Sequence, residues 1–309
     1  MVSGGKPRWL LHEPDDSAEA RLFCLPYSGC GASMYRRWPR RLGGLEICPV
    51  QPPGRENRMR EPAYGTYAEL AADLIASLAG YFDRPFGFFG HCGSALSAYE
   101  TAVQLEAAHG PQPTAVFVSS QVAPQDGPYG SYVTMSDAEL RDEVGVLIRQ
   151  MGGTPTPQLV ELCYEVMRAD VGANARYRIA EPAVLRAPVV AIGWDADTNV
   201  DHRLMGGWAA CSRDPVAVVL SGAHFQFLDA PADLLDVFAA HLAGTRQTWR
   251  VTVDRDVCVG SGTCTAAAPH AFVLDDEDKS TPLLPLLEPD ESVRLAVDMC
   301  PTAALRLTI

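Results

Sequence analysis

Hydrophobic positions along this chain follow two alternating periods. Short apolar runs rich in Val, Ile and Phe fall at Arg21–Leu25, Glu46–Val50, Phe86–Phe89, Thr114–Ser119, Pro188–Ile192 and Val216–Leu220. Each has the length of a buried strand, and several end at Gly or Pro. Longer amphipathic stretches lie between them, as at Tyr67–Leu78, Ala95–Ala107 and Ala232–Leu242. This order predicts an α/β fold, a mostly parallel sheet covered by helices on both faces. The rhythm breaks from Ser136 to about Tyr177, where two or more helices follow without a strand, joined at the breaker Gly152-Gly153-Thr154-Pro155. A helical insertion over a sheet predicts a lid, here over about residues 130–180.

The pattern changes again after Leu242, with a seam expected near residue 247. We therefore divide the chain into residues 1–245 and a compact unit over 249–309 that carries its own cysteines. After Arg250 this unit has ten acids against four bases. So short a unit is marginal for a self-supporting core, and a metal staple is expected. For the whole chain of 309 residues, 47% apolar and 20% charged positions exclude a disordered, collagen-like or coiled-coil protein. Apolar runs stay below the roughly 18 residues of a membrane span, and the first residues lack the apolar core of a secretory signal. A net charge of -13 argues against nucleic acid and anionic membrane as partners. Nine cysteines without an export signal read as reduced cytosolic thiols, metal ligands or catalytic groups.

The strand FGFFG runs into Gly90-His91-Cys92-Gly93-Ser94 and then a helix. This is the strand–turn–helix setting of a G-x-S-x-G nucleophile elbow, with Cys in the Ser place. Gly90 supplies the small residue two before the nucleophile; Ser94 stands two after it, where Gly is usual. A buried cysteine in a Gly-rich turn is the plain alternative. Ser94 is a poorer nucleophile, because its position points into the helix. An acidic turn, Asp195-Ala196-Asp197, follows one later strand, and His224 follows the next. Nucleophile, acid and base thus occur in the α/β-hydrolase order. His224 is placed to take the thiol proton, and Asp195 or Asp197 to orient the imidazole. The oxyanion needs N–H donors, one from Gly93 and one from the loop Pro26–Gly31.

The strings LFCLPYSGCGASMYRRWPRRL, VQPPGREN, RPFGFFGHCGSA, MGGTP, MRADVGANARY and GAHFQFLDAP resemble type II thioesterases of polyketide and nonribosomal peptide assembly lines. The likeness spans about residues 20–243 and implies an α/β-hydrolase fold with a helical lid. It also implies acyl groups delivered as thioesters on the phosphopantetheine arms of carrier proteins. Carried over by motif, it puts the nucleophile at Cys92, the base at His224, the orienting acid at Asp197 and oxyanion donors at Ser28 and Gly93. That family normally has Ser in the nucleophile place, and the Cys resembles acyl and aminoacyl transferases that shuttle groups between carriers. A thiol attacking a thioester yields another thioester, so exchange is nearly thermoneutral, and a His-paired thiolate is a strong nucleophile. Transfer is therefore the expected activity. Editing hydrolysis and a non-catalytic carrier-docking scaffold are the alternatives.

In the tail, Cys258 and Cys264 form a C-x5-C pair, and Cys300-Pro301 follows. Cluster ferredoxins use C-x2-C-x2-C with a remote C-P; here Ser261 replaces the middle Cys. Soft thiolates suit iron–sulfur clusters, whereas zinc wants four ligands and no His is well placed. VTVDRDVCVGSGTC, PHAFVLDDEDK and DMCPTAALRL resemble single-cluster actinobacterial ferredoxins. The resemblance implies a small α+β ferredoxin domain holding a 3Fe-4S cluster on Cys258, Cys264 and Cys300. It also implies a ferredoxin reductase and a haem-thiolate monooxygenase as partners. The run Asp275–Asp278 reads either as a solvated turn or as a steering patch for a basic redox partner. Cys24, Cys30, Cys48, Cys163 and Cys211 read as structural thiols.

Overall fold

The computed structural model describes residues 9–242, 249–283, 287 and 290–308. The expected seam at residue 247 lies outside the described residues. The larger unit is built on one sheet with strand order β2-β3-β1-β4-β5-β6-β7. Its strands are β1 (Ala20–Cys24), β2 (Arg41–Leu42), β3 (Leu45–Pro49), β4 (Phe86–His91), β5 (Ala115–Ser119), β6 (Val189–Trp194) and β7 (Pro215–Leu220). All neighbours pair in parallel except β2, which returns antiparallel to β3 at the edge. The six expected strands are all present, shifted by a residue or two at their ends. The short β2 has no apolar run to announce it and was not foreseen.

Period-two alternation divides the core. Phe23 of β1, Phe86 and Phe88 of β4, and Val116 and Val118 of β5 pack to one face, with α1 (Tyr67–Leu78) and α2 (Gly93–Ala107). Leu22, Phe89, Phe117 and Val190 pack to the other, with α5 (Ala232–Leu242). The insertion is two helices, α3 (Asp137–Gln150) and α4 (Pro157–Arg176). Ser136 and Glu139 form a capping box on α3, and Thr156 caps α4 with Pro157 in its first position. Their apolar faces, including Leu140, Leu147, Tyr164 and Met167, join the second core.

The smaller unit has its own core around Trp249, Phe272, Val293 and Leu305. Its described residues form two two-stranded antiparallel sheets and two short helices. One sheet pairs β8 (Arg250–Val253) with β11 (Leu305–Thr308), and the other pairs β9 (Phe272–Leu274) with β10 (Ser280–Pro282). The helices are α6 (Thr263–Ala267) and α7 (Glu291–Asp298). Among the described residues no helix is long and apolar enough to cross a membrane.

Phe238 carries much of the packing between α5 and the sheet. It is fully buried against the rings of Trp38, Phe89 and Phe117. Phe238→Ala is expected to destabilise the larger unit by about 3–5 kcal/mol through lost burial and a residual cavity. A urea unfolding midpoint within error of the parent's would refute that packing role.

Candidate active site and cluster site

The elbow is a consequence of close packing between β4 and α2. Cys92 sits between them at φ 58° and ψ -131°, a conformation that L residues rarely adopt outside functional turns. Its N–H donates to the Ser119 carbonyl at 2.8 Å, which fixes the turn against β5. A β-carbon on Gly90 would lie 2.2 Å from the Ser94 carbonyl oxygen, so the crossing admits only glycine there. Ser94 is buried, and its hydroxyl accepts from the His91 N–H at 3.0 Å and donates to the His91 carbonyl at 3.0 Å. That hydroxyl is spent on the turn and is not presented as a nucleophile.

The end of β6 and the loop after β7 bring the acid and the base together. His224 Nδ1 lies 2.8 Å from Asp197 Oδ2, with both residues buried. Asp197 is held by three further donors: Ser120 Oγ at 2.7 Å, and the N–H groups of Asn199 and Val200 at 2.8 and 3.0 Å. Asp195 instead ties its turn to the loop after β7, accepting from Gly222 N–H at 2.9 Å and Ser221 Oγ at 3.0 Å. The geometry thus separates the two acids that the residue reading left open.

Charge in the site follows from these bonds. Burial pushes the His224 imidazole down, but its bonds to Asp197 and to the Cys92 thiol outweigh this and raise it to about 9. Burial pushes Asp197 up, yet His224 and Ser120 pull it down to about 2. The folded-state value of His224 is the raised one. Its stabilisation is therefore complete below about 6.5, the ordinary imidazole value, and is lost as pH rises through about 9.

Ser28 and Gly93 also meet. A β-carbon on Gly93 would lie 2.8 Å from Ser28 Oγ, so the two expected oxyanion residues border one point beside Cys92. Three of the quoted strings converge here through one ion pair. Asp170, in MRADVGANARY on α4, accepts from both terminal nitrogens of Arg55, in VQPPGREN, at 2.9 and 2.8 Å. The same carboxylate accepts the Gly29 N–H of the PYSGCG loop at 2.9 Å. The lid helix therefore holds the loop that presents Ser28.

Sequence reasoning missed several neighbours. Tyr27 OH lies 3.5 Å from His224 Nε2 and 3.0 Å from Tyr132 OH. Ser120, Tyr67 and Asn174 were missed as well. Ser120 sits at φ 46° directly after β5, and nothing in its local sequence marks it. A cleft of about 730 Å³ opens at His224 between the lid and the catalytic loops, lined among others by Tyr132, Glu143, Asn199 and Phe225.

In the smaller unit, Cys258, Cys264 and Cys300 line one small cavity with Ser261, Thr263, Ser280 and Thr302, and no carboxylate or imidazole joins them. Ser280 bridges two of the thiols: its N–H donates to Cys258 Sγ at 3.5 Å, and its Oγ lies 3.2 Å from Cys264 Sγ. Burial pushes the Cys300 thiol up, but the N–H groups of Thr302, Leu305 and Ala304 together bring it below its ordinary value. Among the described residues no three His, Cys, Asp or Glu side chains are gathered tightly enough for a single metal ion. A soft all-thiol set around a cavity, with donors aimed at sulfur, fits an iron–sulfur cluster. Ser261, in the middle-cysteine place, is exposed, and its hydroxyl pairs with Thr263 Oγ1 at 3.1 Å.

Comparison with known proteins agrees with this geometry. A thioesterase domain family model matches residues 20–242. The chain belongs to the thioesterase family. Residues 251–307 match a 4Fe-4S single cluster domain. The chain is 32% identical over 250 residues to linear gramicidin dehydrogenase LgrE of Brevibacillus parabrevis, covering 76% of this chain and 92% of that one. It is 30% identical over 241 residues to thioesterase PikA5 of Streptomyces venezuelae, covering 75% and 84%. The solved structure of the RedJ thioesterase from the prodiginine pathway of Streptomyces coelicolor superposes with a TM-score of 0.62 at 33% identity, covering 73% and 89%. The α/β-hydrolase fold and a thioester-processing enzyme are thereby established for the larger unit.

Two tests follow from the site. A histidine NMR titration of Asp197→Asn should place His224 at least about one pH unit below its parent value, since the largest raising interaction is gone. Asp195→Asn should leave that titration in place; equal shifts in both variants would remove Asp197 from its assigned position. After anaerobic iron and sulfide reconstitution, Ser substitution at Cys258, Cys264 or Cys300 should abolish the visible iron–sulfur absorbance. Undiminished absorbance in all three would dissolve the assigned ligand set.

Proposed function

We propose that this chain moves acyl or aminoacyl groups between the phosphopantetheine arms of carrier proteins through a thioester on Cys92. The observation that carries the reading is the strained Cys92 at the elbow, beside a His224 whose protonated form Asp197 stabilises once it forms. His224 takes the Cys92 proton, and the sulfur adds to the carbonyl carbon of the carrier thioester. The oxyanion is received by the N–H groups of Gly93 and Ser28. Collapse breaks the carbon–sulfur bond to the first carrier, and His224 returns the proton to its departing thiolate. A second carrier thiol repeats the sequence in reverse. Each step exchanges one thioester for another, so neither direction is strongly uphill.

A second reading is supported by the names of PikA5 and RedJ as thioesterases. In it, water rather than a thiol resolves the Cys92 adduct, and the chain edits mischarged carriers in polyketide or nonribosomal peptide assembly.

The domain division at 1–245 and 249–309 belongs to the same proposal. In the second unit Cys258, Cys264 and Cys300 hold the cluster, and three protein thiolates favour the 3Fe-4S type. Such a cluster supplies one-electron transfer. We assign it a ferredoxin reductase as donor and a haem-thiolate monooxygenase as acceptor, acting on a carrier-bound substrate. All nine cysteines are unpaired, which supports a reducing, cytoplasmic setting.

Intact-protein mass spectrometry tests the reading. The parent chain, given a loaded carrier, should gain the acyl mass at Cys92 and pass it to an empty carrier bearing its thiol arm. Cys92→Ala should form no adduct, and Cys92→Ser should shift the balance toward free acid. Loss of the adduct only as free acid in the parent would leave the editing reading. No adduct with any acyl group would leave a carrier-docking scaffold.

A further inference from the structure

The acidic run Asp275–Asp278 forms the turn of the β9–β10 hairpin, and it is tightly built. Asp275 Oδ1 accepts the N–H groups of Glu277 and Lys279, each at 3.0 Å, and the Asp275 N–H donates to the Lys279 carbonyl at 2.9 Å. The hairpin is pressed against the loop that carries Cys258. A β-carbon on Gly260 would lie 2.3 Å from the Asp278 carbonyl oxygen, and Gly260 takes φ +67°, so only glycine lets the two segments meet. Next along the chain, Lys279 Nζ donates to the Cys258 carbonyl at 2.5 Å. The turn thereby delivers the following residue, Ser280, to the thiols.

Ser280 is a polar side chain shut away from water, at 2% exposed. Its N–H donates to Cys258 Sγ at 3.5 Å. Its hydroxyl lies 3.2 Å from Cys264 Sγ, the one hydrogen-bond partner of that hydroxyl among the described residues. With Cys264 as a thiol, the S–H donates and the serine oxygen accepts. A cysteine bound to iron has lost that proton. The bond then reverses, and the serine O–H donates to sulfur. At Cys300 the nearest hydroxyl is weaker placed: Thr302 Oγ1 stands 3.9 Å from its sulfur and is only half-buried.

The sign of the effect follows from charge. One-electron reduction adds a negative charge that the ligand sulfurs share. A hydrogen bond is stronger to the more negative acceptor, so a donor aimed at sulfur stabilises the reduced form more than the oxidised one. Burial enlarges the difference, because no water competes for the sulfur.

We infer that the Ser280 hydroxyl sets the reduction potential of the smaller unit, raising it through a hydrogen bond to Cys264. This inference rests on the iron–sulfur reading of Cys258, Cys264 and Cys300. Ser280 acts through a ligand and not on iron, so it is a positioning residue for electron transfer. It makes the unit easier to load with an electron, at the cost of driving force toward the acceptor.

The test is a redox titration of the full chain after anaerobic iron and sulfide reconstitution, followed by electron paramagnetic resonance and normalised to bound iron. Two pairs are compared, the parent with Ser280→Ala and Ser280→Thr with Ser280→Val, each pair differing at the hydroxyl. Removing the hydroxyl should lower the midpoint by about 59 mV, which is tenfold in the reduced-to-oxidised ratio for one electron. If Ser280→Ala takes up no iron, the Thr and Val pair decides. Midpoints equal within each pair, or higher without the hydroxyl, overturn the inference. So does loss of the cluster in both hydroxyl-free variants, which would make Ser280 an assembly residue. A parent that takes up no cluster removes the iron–sulfur reading itself, and the inference with it.

Discussion

The structure hangs on one close crossing. Strand β4 must end, and α2 must begin, within the span of Cys92. This is possible only because Gly90 lets the Ser94 carbonyl approach it and because Cys92 accepts a positive φ. The strain is held by the buried bonds around it, the Cys92 N–H to Ser119 and the Ser94 hydroxyl to His91. The other groups of the candidate site are placed relative to that turn. The helix start leaves the Gly93 N–H directed away from its own helix, and the neighbouring strands β5 and β6 deliver Ser120 and Asp197 beside it.

A second constraint ties the lid to the turn. Arg55 and Asp170 make a bidentate pair that is largely removed from water, and the same carboxylate holds Gly29. Breaking one member of a buried pair strands the other charge, which is far costlier than the net gain from forming it. The lid helix α4 is thus fastened to the loop that carries Ser28. The other lid helix, α3, borders the open cleft at His224. Rigid positioning and an accessible entrance come from the two halves of one insertion.

The chain uses sulfur in two chemically distinct settings. Cys92 stands beside an imidazole that a buried carboxylate holds, which suits proton transfer. Cys258, Cys264 and Cys300 stand among hydroxyls and backbone N–H groups with no base nearby, which suits soft-metal ligation without competing chemistry. Cys30 and Cys48 are pushed well above the ordinary thiol range by burial, so they stay protonated and behave as small apolar side chains.

Much of this was legible along the chain, because it depends on local periodicity and spacing. The apolar runs fixed the strands that line the sheet, the breaker at Gly152–Pro155 marked the join between α3 and α4, and the order Cys92, Asp197, His224 matched the order in which the strands deliver them. The edge strand β2 escaped notice because a two-residue pairing carries no periodicity. The residue pattern left Asp195 and Asp197 open, since both lie in the same turn, and only the family resemblance pointed to Asp197. The choice is decided by which carboxylate faces His224 and which is consumed by Ser221 and Gly222. Tyr67 and Asn174 lie far from Cys92 in sequence and carry no motif of their own; only the packing of α1 and α4 around the elbow brings them beside Gly93. Sequence by itself determined the elements and the kinds of chemistry, because these follow from side-chain type at fixed spacing. Tertiary structure decided which groups share a hydrogen bond, because that depends on contacts between segments that local sequence does not encode.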